Sequence, residues 1–288
     1  MTEKDSYPVC FATSFQANSD VENNVIYSPF QGANQIDTPQ AHDFFVFMLF
    51  ESGSGTHTID FIDYEVHPYQ IHFLFPGQLH QWQLGADSRG QRLIATKYLF
   101  EKFAATLQLS ETRYHHRPVV DLSPESYQKT VAEFQLISQE LMHPLPVSWE
   151  IVSLRIRLIF TLANRQTENE GAHSDAFSNN PVLLKFQALI EQHFREHKSV
   201  AFYAEQLHVT PNYLSILCKR NRKASAISLI QQKVILEAKK MMHTPGMSVK
   251  EIAYELGFNE IAYFSYFFKS KTGLSPRSYR KQIAASKA

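Results

Sequence analysis

Apolar residues in the first third of the chain come in short runs broken by turn-forming residues. Phe44 to Phe50, Thr56 to Phe61, Gln70 to Phe75, Gln81 to Leu84 and Leu93 to Phe100 each read as a strand. The intervening SGSG, PY, PGQ and GADSRG supply the turns, and this spacing predicts an antiparallel barrel or jelly roll. From Ser123 the period changes. Ser123, Pro124 and Glu125 open a helix whose apolar stripe is Tyr127, Val131, Phe134, Ile137 and Leu141, and HPLP at 143–146 ends it. A second helix from about Ser148 carries Ile151, Leu154, Leu158, Ile159 and Leu162, so a helical hairpin follows the barrel. Residues 166–181 are polar, contain Gly and Pro and lack periodicity, as a linker does.

The last hundred residues write one helical grammar twice. In the better copy Ser248 and Glu251 form a capping box, and Ile252, Ala253 and Leu256 share one face. Gly257 makes the turn, Phe258 is free to bury, and a second helical pattern starts at Asn259 with Ile261, Phe264, Phe267 and Phe268 at core spacing. Ser275 and Pro276 open a final short helix. The looser copy has Ala204 and Leu207 as packing positions, His208 in place of the glycine, and Thr210–Pro211 capping a helix to about Lys219. Between them Ala226 to His243 predicts one continuous connector. The reading helices are expected to begin 259 − 210 = 49 residues apart. A rigid connector would hold two such helices about one DNA turn, roughly 34 Å, apart.

Charge follows this division. From residue 181 onward there are 17 Lys and Arg against 7 Asp and Glu, a net +10, which the first part cancels with 11 against 21. A segment this basic suits phosphate neutralisation. With 288 residues, 44% hydrophobic, the chain is long enough for two cores. No apolar run reaches the roughly 20 residues of a bilayer span, and the N-terminal sequence lacks the order of a signal peptide. Two cysteines, Cys10 and Cys218, point to a reducing cytoplasm, with Cys218 expected to be buried and inert.

The strings KEIAYELGF, YFSYFFK and KTGLSPRSYR resemble the signature of the AraC/XylS family of bacterial transcription regulators, over residues 181–288. HDFFVFMLFESGSGTHTIDF and LFPGQLHQW resemble the cupin-like sensor domain common at the N-terminus of such proteins. Tyr266 and Ile216 depart from the family, which often has arginine or another polar residue there. The resemblance implies an α+β multidomain chain: a cupin-like barrel (1–120), a helical hairpin that pairs subunits (121–165), a linker (166–181) and an all-α double helix-turn-helix domain (182–288). It implies a cytoplasmic, homodimeric, effector-responsive activator of transcription that binds double-stranded DNA and contacts RNA polymerase, with no cofactor and no enzymatic activity.

The expected DNA contacts are Thr210, Asn212, Tyr213, Ser215 and Lys219 in the first reading helix, and Asn259, Glu260, Ile261, Tyr263, Ser265 and Tyr266 in the second. Tyr213 and Tyr263 could equally be packing residues. Lys269, Lys271, Arg277 and Arg280 are expected on phosphate. In the barrel, His42, His57, His72 and His80 with Glu51 have the chemistry of metal ligands, yet the two histidines spaced by one residue that a metal cupin shows are missing. The resemblance to such sensors implies that His42, His80 and Trp82 line an effector pocket, and no metal is expected. Two other classes stay open: a metal-dependent cupin enzyme with a helical tether, and a non-specific architectural DNA binder.

Overall fold

The computed structural model describes residues 25–96, 118–143, 145, 147–169, 180–222, 224–244 and 246–285. They divide into two units, one ending at Ala172 and one beginning at His173.

Among its described residues the first unit holds nine strands: β1 (Val25–Gln31), β2 (Asn34–Gln40), β3 (Phe44–Ser52), β4 (Gly55–Ile59), β5 (Ile62–Glu65), β6 (Gln70–Leu74), β7 (His80–Leu84), β8 (Arg89–Thr96) and β9 (Val119–Asp121). They form two antiparallel sheets, ordered β1-β8-β3-β6-β9 and β2-β7-β4-β5. Helices α1 (Pro124–Met142) and α2 (Ser148–Asn169) follow. Strand β3 is apolar from Phe44 to Phe50 because both its faces are covered there. Phe45, Phe47 and Leu49 join the core under the two helices, beside Phe134, Ile156 and Phe160. Phe44, Val46, Met48 and Phe50 point the other way, toward Ile59, Trp82 and Leu84 of the second sheet.

The expected strands are all present, with shifted ends. β4 stops at Ile59 because Asp60 and Phe61 have φ of 49° and 68°. With Ile59 paired to Ile62, these two residues make a hairpin turn in the left-handed region. The Asp60 carboxylate pins that turn by accepting from the Leu79 N–H at 3.1 Å and the Gln78 amide at 3.1 Å. β8 begins four residues before the expected Leu93, and the expected strand's end, 97–100, lies outside the described residues. β1, β2, β5 and β9 were not anticipated, and each is the edge strand of its sheet.

Helix α1 matches its expected stripe, with Tyr127, Phe134 and Ile137 buried. Helix α2 does not. Its inward face is Val152, Ile156, Ile159, Phe160 and Ala163, whereas Leu154 and Leu158 are 62% and 42% exposed. The helix carries apolar residues on two faces, and sequence spacing alone does not say which one meets the sheet. It also runs to Asn169, past the expected start of the linker; residues 170–179 lie outside the described residues.

The regular structure among the second unit's described residues is all helix: α3 (Pro181–His193), α4 (Val200–Gln206), α5 (Pro211–Arg222), α6 (Ala226–His243), α7 (Val249–Glu255), α8 (Ile261–Thr272) and α9 (Pro276–Ala285). The connector α6 has the expected bounds. At 18 residues it is about 27 Å long at 1.5 Å per residue. Phe186, Tyr203, Leu214, Ile230, Val234, Ile252, Leu256, Phe264 and Phe268 belong to one core, so both motifs share a single packed interior.

Candidate nucleic-acid interface and ligand chamber

The two helix-turn-helix motifs are built by the same local rules. Ser248 and Glu251 make the capping box, with the Glu251 N–H donating to Ser248 Oγ at 3.1 Å and the Ser248 N–H donating to Glu251 Oε2 at 2.7 Å. Ser199, in the equivalent place before α4, makes no side-chain cap bond. Both turns close identically: the Val209 N–H donates to the Ala204 carbonyl and the Phe258 N–H to the Ala253 carbonyl, each at 2.9 Å. His208, with φ of 55°, occupies the left-handed position that Gly257 takes with φ of 72°.

Past the turns the spacing changes. The capping residue of α8 is Glu260, so α8 begins at Ile261, two residues later than expected, and Asn259 belongs to the turn. α5 begins at Pro211, with Thr210 Oγ1 accepting from the Tyr213 N–H at 3.1 Å. The helix starts are thus 261 − 211 = 50 residues apart rather than 49. Buried Leu214 and Cys218 correspond to buried Phe264 and Phe268 in this register. Tyr213 then corresponds to Tyr263, Ser215 to Ser265, Ile216 to Tyr266 and Lys219 to Lys269.

Thr210, Asn212, Tyr213 and Lys219 are exposed and Ser215 is half-buried. In the second motif Asn259, Glu260, Tyr263 and Tyr266 are exposed, with Ile261 and Ser265 half-buried. Tyr263 is 63% exposed while its ring leans on Phe258 at 5.8 Å between centroids, so it both packs on the turn and presents a face outward. Lys269, Lys271 and Arg277 are exposed; Arg280 is half-buried, and its Nε and Nη2 are enclosed without a protein partner. Ile216, absent from the expected contacts, is 56% exposed on the outward face of α5, and its place three residues after Tyr213 is the signal that finds it. Cys218 is fully buried, and burial pushes its thiol up to about 11.

Lys233 of α6 ties the connector to α3. Its ammonium pairs with Glu191 and, at 3.1 Å, with Glu237. Burial pulls its pKa down, but Glu237 and Glu191 outweigh burial and hold the lysine charged.

In the first unit, alternation turns His57, His72, His80 and Trp82 into the space between the sheets, where His42 joins them. The His42 and His80 rings lie 4.9 Å apart, His80 and Trp82 5.3 Å, and His57 and Trp82 5.5 Å between centroids. The expected trio is therefore brought together, and His57 and His72 are added to it. Glu51 is held instead in an exposed ion pair with Arg89. Among the described residues no group of three or more His, Cys, Asp and Glu is arranged to hold a metal ion.

The hydrogen bonds fix which ring nitrogens carry protons. The Gln70 amide nitrogen donates to Asp121 at 2.8 Å, leaving Gln70 Oε1 to accept from His72 Nε2 at 3.0 Å. Neutral His72 then accepts on Nδ1 from the Nδ1–H of His57 at 2.9 Å, which leaves His57 Nε2 as a bare lone pair. His42 Nδ1–H donates to the Phe44 carbonyl at 2.7 Å, which leaves its Nε2 bare as well. His42 Nε2, His57 Nε2 and His80 Nδ1 are all buried without a partner. Burial lowers His42 to about 4 and His72 to about 3, and holds His57 and His80 well below 6.5 with help from neighbouring histidines. The chamber thus presents two uncharged acceptors, His42 Nε2 and His57 Nε2, beside an indole.

Residues 203–282 match the helix-turn-helix domain family, and residues 25–148 match the AraC-like ligand binding domain family. The chain is 21% identical over 270 residues to the HTH-type transcriptional activator RhaS of Enterobacter sp. (strain 638), covering 85% of this chain and 88% of that protein. It is 29% identical over 129 residues to the arabinose operon regulatory protein of Escherichia coli K12, 44% of each chain. A solved structure of ToxT from Vibrio cholerae aligns with a TM-score of 0.43 at 15% identity, over 89% of this chain and 97% of that one. With a ligand-binding domain ahead of two helix-turn-helix motifs on one basic unit, the chain belongs to the AraC family of transcription regulators and is a DNA-binding regulator responsive to a ligand.

Proposed function

We propose that this protein activates transcription by laying α5 and α8 into successive major grooves of an operator, with the occupied chamber selecting the arrangement competent to do so. The observation that carries this reading is the pair of equivalent outward faces on α5 and α8, in a segment, residues 181–288, of net +10. Thr210, Asn212, Tyr213, Ser215, Asn259, Glu260, Ile261, Tyr263, Ser265 and Tyr266 face bases or their flanks. Lys219, Lys269, Lys271, Arg277 and Arg280 serve phosphate. The name of the relative RhaS, a transcriptional activator, supports activation, and contact with RNA polymerase is part of the same proposal.

His42, His80 and Trp82, joined by His57, receive the effector. Bare imidazole lone pairs favour a small molecule rich in O–H or N–H donors over an anion. Leu154 and Leu158 on α2 with Leu136 on α1, all exposed, support a homodimer formed through the hairpin of residues 121–165. Residues 1–120 are the sensor, 166–181 the linker and 182–288 the DNA-binding part. No helix among the described residues is long and apolar enough to cross a membrane, which fits work in the cytoplasm. The protein acts by binding and not as an enzyme. Selection of genomic fragments by the purified protein at near-physiological salt tests the reading: a recurrent site spanning two neighbouring grooves is expected, and uniform recovery with and without candidate effectors overturns it.

A further inference from the structure

The outward faces of the reading helices are unusually apolar for surfaces that meet nucleic acid. Tyr213 and Ile216 on α5 are 49% and 56% exposed, and Tyr263 and Tyr266 on α8 are 63% and 73% exposed. In the common register these are the same two places on both helices, three residues apart and hence neighbours on one face. A lysine follows three residues further on in each, Lys219 and Lys269, both exposed. Each helix thus presents an aromatic side chain, a second bulky side chain and a cation in line.

Bidentate readers are scarce along that line. Helix α8 contains no Arg, Asn or Gln, and α5 has Asn212 at its start and its arginines only at its end. Guanine is read best by a two-pronged cation and adenine by an amide, neither of which α8 offers at its base-facing turn. Isoleucine makes no hydrogen bond, and the one apolar group displayed in the major groove is the C5-methyl of thymine.

We propose that both half-sites of the operator are recognised through thymine methyl groups, packed against Ile216 in one major groove and against Tyr266, with Tyr263 beside it, in the next. Asn212 adds an adenine contact in the first half-site, so both halves are rich in A·T pairs. The proposal rests on the DNA-reading function above and names what that interface reads.

The test uses the full-length protein and the site recovered by selection. Replacing thymine by uracil at each position of one half-site removes only the methyl, leaving base pairing and phosphates unchanged. Competition binding at fixed salt is expected to show about a fourfold loss for each contacted methyl, the factor for uncovering one methyl-sized apolar group. Ile216→Ala should bind the thymine site about fourfold more weakly and become indifferent to uracil in its own half-site only; Tyr266→Ala should do the same in the other. A specific site whose affinity for wild-type protein is unchanged by uracil in both halves overturns the proposal without needing any variant. A uracil penalty that persists undiminished in both alanine variants overturns the assignment to these residues. Recovery of no specific site overturns the DNA-reading function itself.

Discussion

Gly257→Ala should be far more damaging than His208→Gly, although the two residues occupy the same place in equivalent turns. Both backbones are left-handed, at φ of 72° and 55°. A side chain there costs about 1 kcal/mol, which the His208 turn already bears. The difference lies in the neighbour, because a Cβ at Gly257 would stand 1.9 Å from the backbone carbonyl oxygen of Arg195. Relieving that overlap means moving the turn after α3, where Lys198 Nζ also binds the Arg195 carbonyl at 2.7 Å. Overpacking of this kind costs about 1–3 kcal/mol, which with the backbone term gives roughly 2–4 kcal/mol. His208→Gly relieves strain but loosens the unfolded chain by a similar amount, so its net effect should stay within about 0.5 kcal/mol.

The two units can be followed separately in the intact protein. Both tryptophans, Trp82 and Trp149, lie in the first unit, while the regular structure among the second unit's described residues is all helix. Urea unfolding read by far-ultraviolet circular dichroism should show the helical transition of Gly257→Ala about 2 M lower, taking an m-value near 1.5 kcal/mol/M. Tryptophan fluorescence should not move. A dichroism midpoint within about 0.3 M of wild type, or an equal shift from His208→Gly, would refute the steric argument.

The buried histidines make the first unit acid-sensitive. Their folded pKa values are lowered by burial, to about 4 for His42 and about 3 for His72, so below pH 6.5 the unfolded chain takes up protons that the folded one refuses. Stability should be level above pH 7 and fall by up to about 1.4 kcal/mol per pH unit per histidine between pH 6.5 and about 4; identical fluorescence midpoints at pH 7 and pH 5 would contradict this. Lys233→Ala removes the cation shared by Glu191 and Glu237 and should cost the helical transition about 3 kcal/mol, whereas a loss under about 1 kcal/mol would mean the pairing is idle. Lys269→Ala should weaken all DNA sequences alike and make the salt slope shallower by about one; selective loss of one sequence would deny the phosphate role. Leu154→Glu with Leu158→Glu should convert a dimer to monomers in sedimentation at micromolar concentration, and an unchanged mass would exclude that face.

The strands legible in sequence are those with two covered faces or clear alternation, such as FFVFMLF in β3. The four that escaped are the sheet edges, and chemistry explains three of them. β1 and β2 carry Pro29 and Pro39, which an edge tolerates because one row of N–H groups faces no partner. β5 follows a turn made by Asp60 and Phe61, a pair with none of the usual Asn-Gly signal. The double motif was legible because Ser248, Glu251 and Gly257 act locally. The one-residue offset was not, since only the burial of Phe264 and Phe268 against Leu214 and Cys218 reveals that the second turn is longer. In the chamber, His42, His80 and Trp82 were suggested by the resemblance to cupin-like sensors. The relay from Asp121 through Gln70 and His72 to His57 joins residues up to 64 positions apart, 121 − 57, and exists only once β6 and β9 pair.

Strand β3 places a constraint on how this regulator can change. Its even-numbered residues wall the histidine chamber while its odd-numbered ones form the bed on which α1 and α2 rest. Any substitution that tilts the strand to admit a larger molecule also tilts the bed, so the two sets of side chains cannot drift independently. Ligand preference is therefore freest to evolve through β4 and β7, which supply His57, His80 and Trp82 from the sheet opposite the one on which α1 and α2 rest. A lineage that retunes its chamber should accumulate changes there and keep the seven residues from Phe44 to Phe50 nearly fixed in volume.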